Sequence, residues 1–318
     1  MPDGSLITTL IGAALLAGTQ TVVSPPGRDN ASEAAEAERR ASGSIVVLGS
    51  KMKERRERAN AYVRSTGIAR GQLPAARWVE AVCPKVGGVG PETAAIVDER
   101  IRALATEVGA PLAAPGCTPN TIVTFTNDAK GVVRRVLTRA PHQFKDVPLG
   151  ERDKLRNGDA PIRWWHVIAT GDADGVPPVA MQPSFVSIDG GTGGFGLPMG
   201  QGGVQLRYKE GAISSQATRS IIGAAVVIDV GRAGPGRDLR ALGDYAAMVA
   251  LAEFRPSHPP PSDSLLAMFE TNEPASGATP NDVALLTQLY AVPLDREARA
   301  HRRMLAEALV GSGIRRKR

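Results

Sequence analysis

Reactive side chains are sparse in this chain of 318 residues, and three of them stand on apolar segments that a fold could bring to one cleft. Asp244 and Tyr245 are neighbours inside the run Leu239 to Ala252, and His166 lies in the run Ile162 to Thr170. A carboxylate, a phenol and an imidazole drawn within hydrogen-bond reach would form an acid–base site, the outline of a hydrolase. Taken singly, each has a structural reading. A carboxylate near a helix start is a hydrogen-bonded structural group, and a histidine among Trp164, Trp165 and Val167 is a packed or edge-facing strand residue.

Other chemistries find less support. The histidines His142, His166, His258 and His301 include no pair three or four residues apart, and Cys83 and Cys117 have no cysteine or histidine near them in sequence. Local spacing therefore builds no zinc site. His258 in a proline-rich segment and His301 on a charged helix are expected in solvent. A Gly-x-Ser-x-Gly elbow is absent, and no Ser-x-x-Lys comes with its supporting motifs. Asp172 and Asp174 open a calcium-like turn that lacks the bidentate glutamate of a full loop. The glycine-dense stretch Asp189 to Gly203 is followed by no helix start, so it is neither a Walker loop nor a dinucleotide fingerprint and reads as an exposed loop. The expectation is no cofactor, no metal and no catalytic set, with Asp244, Tyr245 and His166 as cleft candidates.

The elements that would hold these residues are legible from period and punctuation. Ile221 to Val230 is rich in Val and Ile and bounded by turn residues, which predicts a strand covered on both faces. Leu239 to Ala252 follows as a helix apolar on all sides, expected inside a domain. Before them, Trp78 to Val82 alternates as a strand, and Pro91 to Val108 has a 3.6-residue period opened by Pro91 and stopped by Gly109. Thr121 to Thr126 is a strand, Lys130 to Leu137 a helix, His142 to Ala160 a polar loop and Ile162 to Thr170 a strand. After them, short helices are predicted at Asp263 to Glu270 and Thr279 to Tyr290, then an amphipathic helix at Asp295 to Leu309. Lys51 to Ser65 reads as a charged surface helix. The fold class expected is α+β, a mixed twisted sheet with packed helices, entered through a right-handed parallel crossover.

Composition sets the outer bounds. With 42% hydrophobic and 22% charged residues, the chain is globular and can fill a sizeable core. The net charge of +6 is modest, and its densest basic runs, Lys51 to Arg58 and Arg315 to Arg318, are not interleaved with aromatics. No nucleic-acid partner is expected; contact with anionic lipid or a cell-envelope component is a little better supported. Leu6 to Gly18 is an uncharged apolar run too short for a comfortable membrane span, which predicts a signal peptide over 1–24 and an exported, periplasmic or secreted, product. Residues 25–75 then form a charged linker and surface helix, 76–310 the main domain and 311–318 a basic tail. Two cysteines in an exported chain predict a disulfide between Cys83 and Cys117. If Cys83 ended a strand and Cys117 preceded its parallel neighbour, however, the two would stand at opposite ends of the sheet.

The order from Trp78 onward resembles the catalytic domain of zincin-type metallopeptidases. Two stretches carry the likeness. Leu242 to Leu251 is similar to the helix His-Glu-x-x-His with its following Ala-Leu-Gly-Leu, and Ala278 to Tyr290 is similar to the closing helix of matrixins. The resemblance implies a zincin-like architecture with a lost metal site: Gly243 and Ala247 occupy the histidine positions, and Asp244 that of the general-base glutamate. Arg77-Trp78, Val82-Cys83-Pro84 and Cys117-Thr118-Pro119-Asn120 also resemble landmarks of a group of exported proteobacterial proteins without assigned function. The reading that follows is a non-catalytic binding or structural protein on an inactive zincin-like scaffold, with a metal-independent or atypical hydrolase or peptidase of the cell envelope as the alternative.

Overall fold

The computed structural model describes residues 51–171, 184–187, 196–199, 218–234, 236–256 and 259–315. The apolar run near the N-terminus, the linker as far as residue 50, Asp172, Asp174, His258 and all of the glycine-dense stretch except 196–199 lie outside them. One compact unit extends from Lys53 onward. Among the described residues no helix is long and apolar enough to cross a membrane.

The unit begins within α1 (51–66), whose Ala59, Tyr62 and Val63 are buried in the main core. Two short strands follow, β1 (Arg77–Trp78) and β2 (Pro84–Gly87), then α2 (Pro91–Val108) and β3 (Thr121–Thr126). Pro91 at the first turn and Gly109 in the left-handed region (φ 75°) end α2 where the sequence predicts. Next come α3 (Ala129–Arg139), a 3-10 turn at Pro141–Phe144, α4 (Leu149–Asn157) and the long strand β4 (Ile162–Gly171). The hairpin β5 (Ser184–Ser187) and β6 (Gly196–Met199) stands as a separate antiparallel pair. The second long strand, β7 (Thr218–Asp229), leads through α5 (Val230–Ala233) into α6 (Leu239–Leu251). A 3-10 turn at Leu265–Ala267, α7 (Pro280–Ala291) and α8 (Ala298–Arg315) complete the unit.

Strand β7 is the spine of the sheet. On one edge it pairs in parallel with β1 and β3, β2 extends the sheet beyond β3, and its other edge pairs antiparallel with β4 along ten residues. The register passes from Val167 opposite Gly223 to Ile168 opposite Ile221, so Ile222 is an extra residue on β7. That bulge is why Ile221 shares a face with Ala224, Val226 and Ile228. These residues pack with α2 and α6; the opposite face, with Ala225, Val227, Ile122 and Trp165, packs with α3 and the first 3-10 turn. Helices on both faces of a mostly parallel sheet make the architecture α/β rather than α+β, while the mixed pairing and packed helices are as predicted.

Four local expectations change. The predicted strand Trp78 to Val82 is two pieces, because the chain leaves β7 after Trp78; Val82 bonds Pro111 and Ala113 instead, and β2 starts at Pro84 on a different neighbour. The polar loop His142 to Ala160 holds a 3-10 turn and α4, with Phe144 fully buried and stacked on Trp165 at 4.8 Å. Asp263 to Glu270 forms only a 3-10 turn, capped by Ser264. His301, expected in solvent, is fully buried: its Nδ1 accepts from Ala75 N–H (3.1 Å) and its Nε2–H donates to the Pro293 carbonyl (2.8 Å).

Cys83 and Cys117 form the disulfide, with Cα atoms 6.1 Å apart. The objection of opposite sheet ends disappears because Cys83 precedes β2 rather than ending a strand, so both cysteines stand at the N-terminal ends of adjacent parallel strands. Closing this loop removes chain entropy from the unfolded state worth about 3 to 4 kcal/mol. Cys83→Ser with Cys117→Ser is expected to lower the unfolding free energy by that amount, read as a denaturant midpoint shift. An unchanged midpoint would show that the bond constrains nothing.

Candidate functional site

A cavity of about 610 Å³ opens along the outer edge of β4. The register fixes what that edge presents. Asp229 N–H donates to the Pro161 carbonyl at 2.9 Å, one step before the pair Ile162 and Ile228. In an antiparallel ladder bonded and non-bonded pairs alternate, so Arg163 and Trp165 turn their backbone groups toward β7. Ile162, Trp164 and His166 turn theirs away from it, into the cavity wall. Among the described residues β4 has no strand partner on this side.

The side chains of the same three residues share the face that meets α6. Trp164 donates its indole N–H to the Phe254 carbonyl (3.0 Å) and packs edge-on against Tyr245 at 6.0 Å. Tyr245 in turn packs edge-on against Phe269 at 5.7 Å, which gives the cavity an aromatic wall built from three distant parts of the chain. Burial pushes the Tyr245 hydroxyl pKa up, so it stays a neutral phenol. His166 is held to α6 by a 2.9 Å hydrogen bond between Nε2 and the Val249 carbonyl, which makes Nε2 the protonated nitrogen. Burial lowers its pKa to about 4, so at neutral pH the ring is uncharged.

Asp244 faces elsewhere. One step along α6 from Tyr245, its carboxylate is gripped by Arg100 of α2 through a two-point contact, Nε to Oδ1 at 2.6 Å and Nη2 to Oδ2 at 2.8 Å. Oδ2 also accepts the Ala278 N–H at 3.2 Å. A Cβ on Gly277 would lie 2.7 Å from the same oxygen, so the loop approaches this carboxylate closely. The structure therefore brings His166 and Tyr245 to one cavity and sends Asp244 to the α2 interface. The geometric condition for the hydrolase alternative, convergence of all three, is not met.

On α6 the positions matching the zincin ligands are also occupied by packing. A Cβ on Gly243 would lie 3.0 Å from Arg100 Cβ and 3.6 Å from Val97 Cα, so α2 closes that face, and Ala247 one turn on is fully buried. Among the described residues no group of three His, Cys, Asp or Glu side chains is placed to hold a metal ion.

Sequence reasoning missed the charges at the cavity mouth. Glu151 of α4 pairs with Arg70 through Oε1 and with Arg255 through Oε2, both at 2.5 Å. Arg255 also holds Glu253 (2.9 Å) and the Asp146 carbonyl (2.9 Å), and Glu253 holds Arg219 at 2.7 Å in the interior. The result is an alternating chain of five charges from buried Arg219 to exposed Arg70. Its members are separated by up to 185 positions, beyond the reach of any local pattern. The sequence pointed to this site only through His166 and Tyr245, not through any of these charges.

Comparison with protein-family models, with curated proteins and with solved structures finds no match to this chain. What defines the chain is therefore its own geometry: an α/β sheet with helices on both faces and an antiparallel edge strand, without a further strand partner among the described residues, that borders an aromatic cavity.

Proposed function

We propose that this chain is an exported, non-catalytic binding protein that takes an extended peptide segment along the outer edge of β4. The observation that carries the reading is the coincidence of cavity and a strand edge that has no strand partner among the described residues: backbone groups of Ile162, Trp164 and His166 border about 610 Å³ of space walled by Trp164, Tyr245 and Phe269. Strand addition uses the backbone for affinity and alternate side-chain pockets for selectivity, and this edge offers both. Export is supported by the N-terminal apolar run and by the Cys83–Cys117 bond, which suits an oxidising compartment.

The inactive zincin-like scaffold belongs to the same proposal as an account of origin. It rests on the resemblance of Leu242 to Leu251 and of Ala278 to Tyr290 to two zincin helices, and Gly243 and Ala247, which lack ligating atoms, are what would make it inactive. The test is selection from a displayed library of linear decapeptides on the purified protein. Enriched sequences should carry apolar residues at every second position and lose binding when proline replaces residues that donate to the edge. Enrichment without a two-residue period, or none at all, would remove the strand-addition reading.

A further inference from the structure

The contact between Glu151 and two arginines at the mouth of the cavity has the form of an occupied carboxylate site. Each oxygen of Glu151 has its own guanidinium, Arg70 on Oε1 and Arg255 on Oε2, and all three residues line the cavity. The helix that supplies this carboxylate, α4, buries none of its nine residues, and Arg163 holds its C-terminal end through the carbonyls of Leu155 (3.0 Å) and Gly158 (2.6 Å), so displacement of Glu151 asks for movement of its own side chain only. Arg255 does not depend on Glu151 for its position. It keeps Glu253 at 2.9 Å and the Asp146 carbonyl at 2.9 Å, and its side chain is only 16% exposed. Withdrawal of Glu151 would therefore leave a fixed guanidinium, already oriented by the interior, beside the largely exposed Arg70.

We infer that Arg70 and Arg255 form a carboxylate-binding site for the ligand of this cavity, and that Glu151 occupies it in the free protein as an internal competitor. The inference rests on the reading of the cavity as a binding site and adds the chemistry of one end of the ligand: an apolar or aromatic group along Trp164 and Tyr245 joined to a carboxylate, as at a peptide C-terminus or an acidic side chain. Two anions cannot share one clamp, so ligand binding displaces Glu151.

The probes are 3-phenylpropionate and its neutral counterpart 3-phenylpropionamide, titrated into wild type and Glu151→Gln and followed by chemical-shift changes of the Arg255 guanidinium. Glu151→Gln should bind the acid at least tenfold more tightly than wild type does and at least tenfold more tightly than it binds the amide. Adding Arg70→Ala to Glu151→Gln should reverse most of that gain, with melting temperatures confirming that each variant is folded. Equal affinity for acid and amide, or no acid binding in folded Glu151→Gln, would overturn the clamp. The clamp and the strand-edge reading fail separately: terminally blocked decapeptides that bind while the acid shows no preference would leave the edge and remove the clamp, and the reverse pattern would do the opposite.

Discussion

Asp282→Ala is expected to lower the unfolding free energy by roughly 4 to 5 kcal/mol, an effect at the upper end for a single substitution. Asp282 is fully buried, and four donors converge on its carboxylate. The Tyr62 hydroxyl and the Ser264 hydroxyl donate to Oδ1, each at 2.6 Å, and the backbone N–H groups of Leu265 (2.8 Å) and Thr279 (2.9 Å) donate to Oδ2. The side chain thereby joins α1, the turn at Leu265 and the N-terminus of α7, where it also closes a capping box with Thr279. Truncation leaves these donors buried without an acceptor, at about 1 to 3 kcal/mol for each one that water does not reach. Urea unfolding reads the effect. Asp282→Asn should recover part of it, since an amide keeps one acceptor, and an Asp282→Ala loss below about 1 kcal/mol would show that the junction is not held through this group.

Glu253→Ala should cost about 3 to 5 kcal/mol, because it strips a buried charge pair of one member and leaves Arg219 in the interior. Glu253 also shapes the response to acid. Burial alone would raise its pKa, but Arg219 and then Arg255 overcome that and hold it below the ordinary carboxylate value. A carboxylate with a depressed folded pKa stabilises above its unfolded pKa and loses that contribution as pH falls through the folded one. His166 acts earlier in the same direction. Its folded pKa of about 4 lies below the usual 6.5, so between those values the unfolded chain binds the extra proton and stability declines as pH falls. Wild type should lose stability progressively from pH 6.5 to 4 and more steeply below. His166→Gln should flatten the upper part of that profile, and an unchanged slope there would contradict the buried neutral ring.

What the sequence could disclose depended on how local each cause was. Pro91 and Gly109 punctuate α2 within the sequence itself, the β-branched runs of β3, β4 and β7 need no partner to be recognised, and Thr279 caps α7 within three residues. The helix α4 was invisible because it buries nothing and so has no apolar period, and β2 because Pro84-Lys85-Val86-Gly87 reads as a turn until β3 pairs with it. Of the site, Trp164 and His166 fall on one strand face by simple alternation. Asp244 could not be separated from Tyr245 by sequence, since only the docking of α2 decides that adjacent helical positions face different neighbours. The charges at Arg70, Glu151 and Arg255 meet through tertiary structure alone.

The central claim is that the outer edge of β4 accepts a strand, and amide hydrogen exchange measured residue by residue by NMR tests it most directly. On addition of a selected decapeptide, the amides of Ile162, Trp164 and His166 should become protected by at least tenfold, while those of Arg163 and Trp165, already turned toward β7, should change little. Binding of the peptide with no added protection at these three amides, or with protection elsewhere on the sheet, would contradict the account.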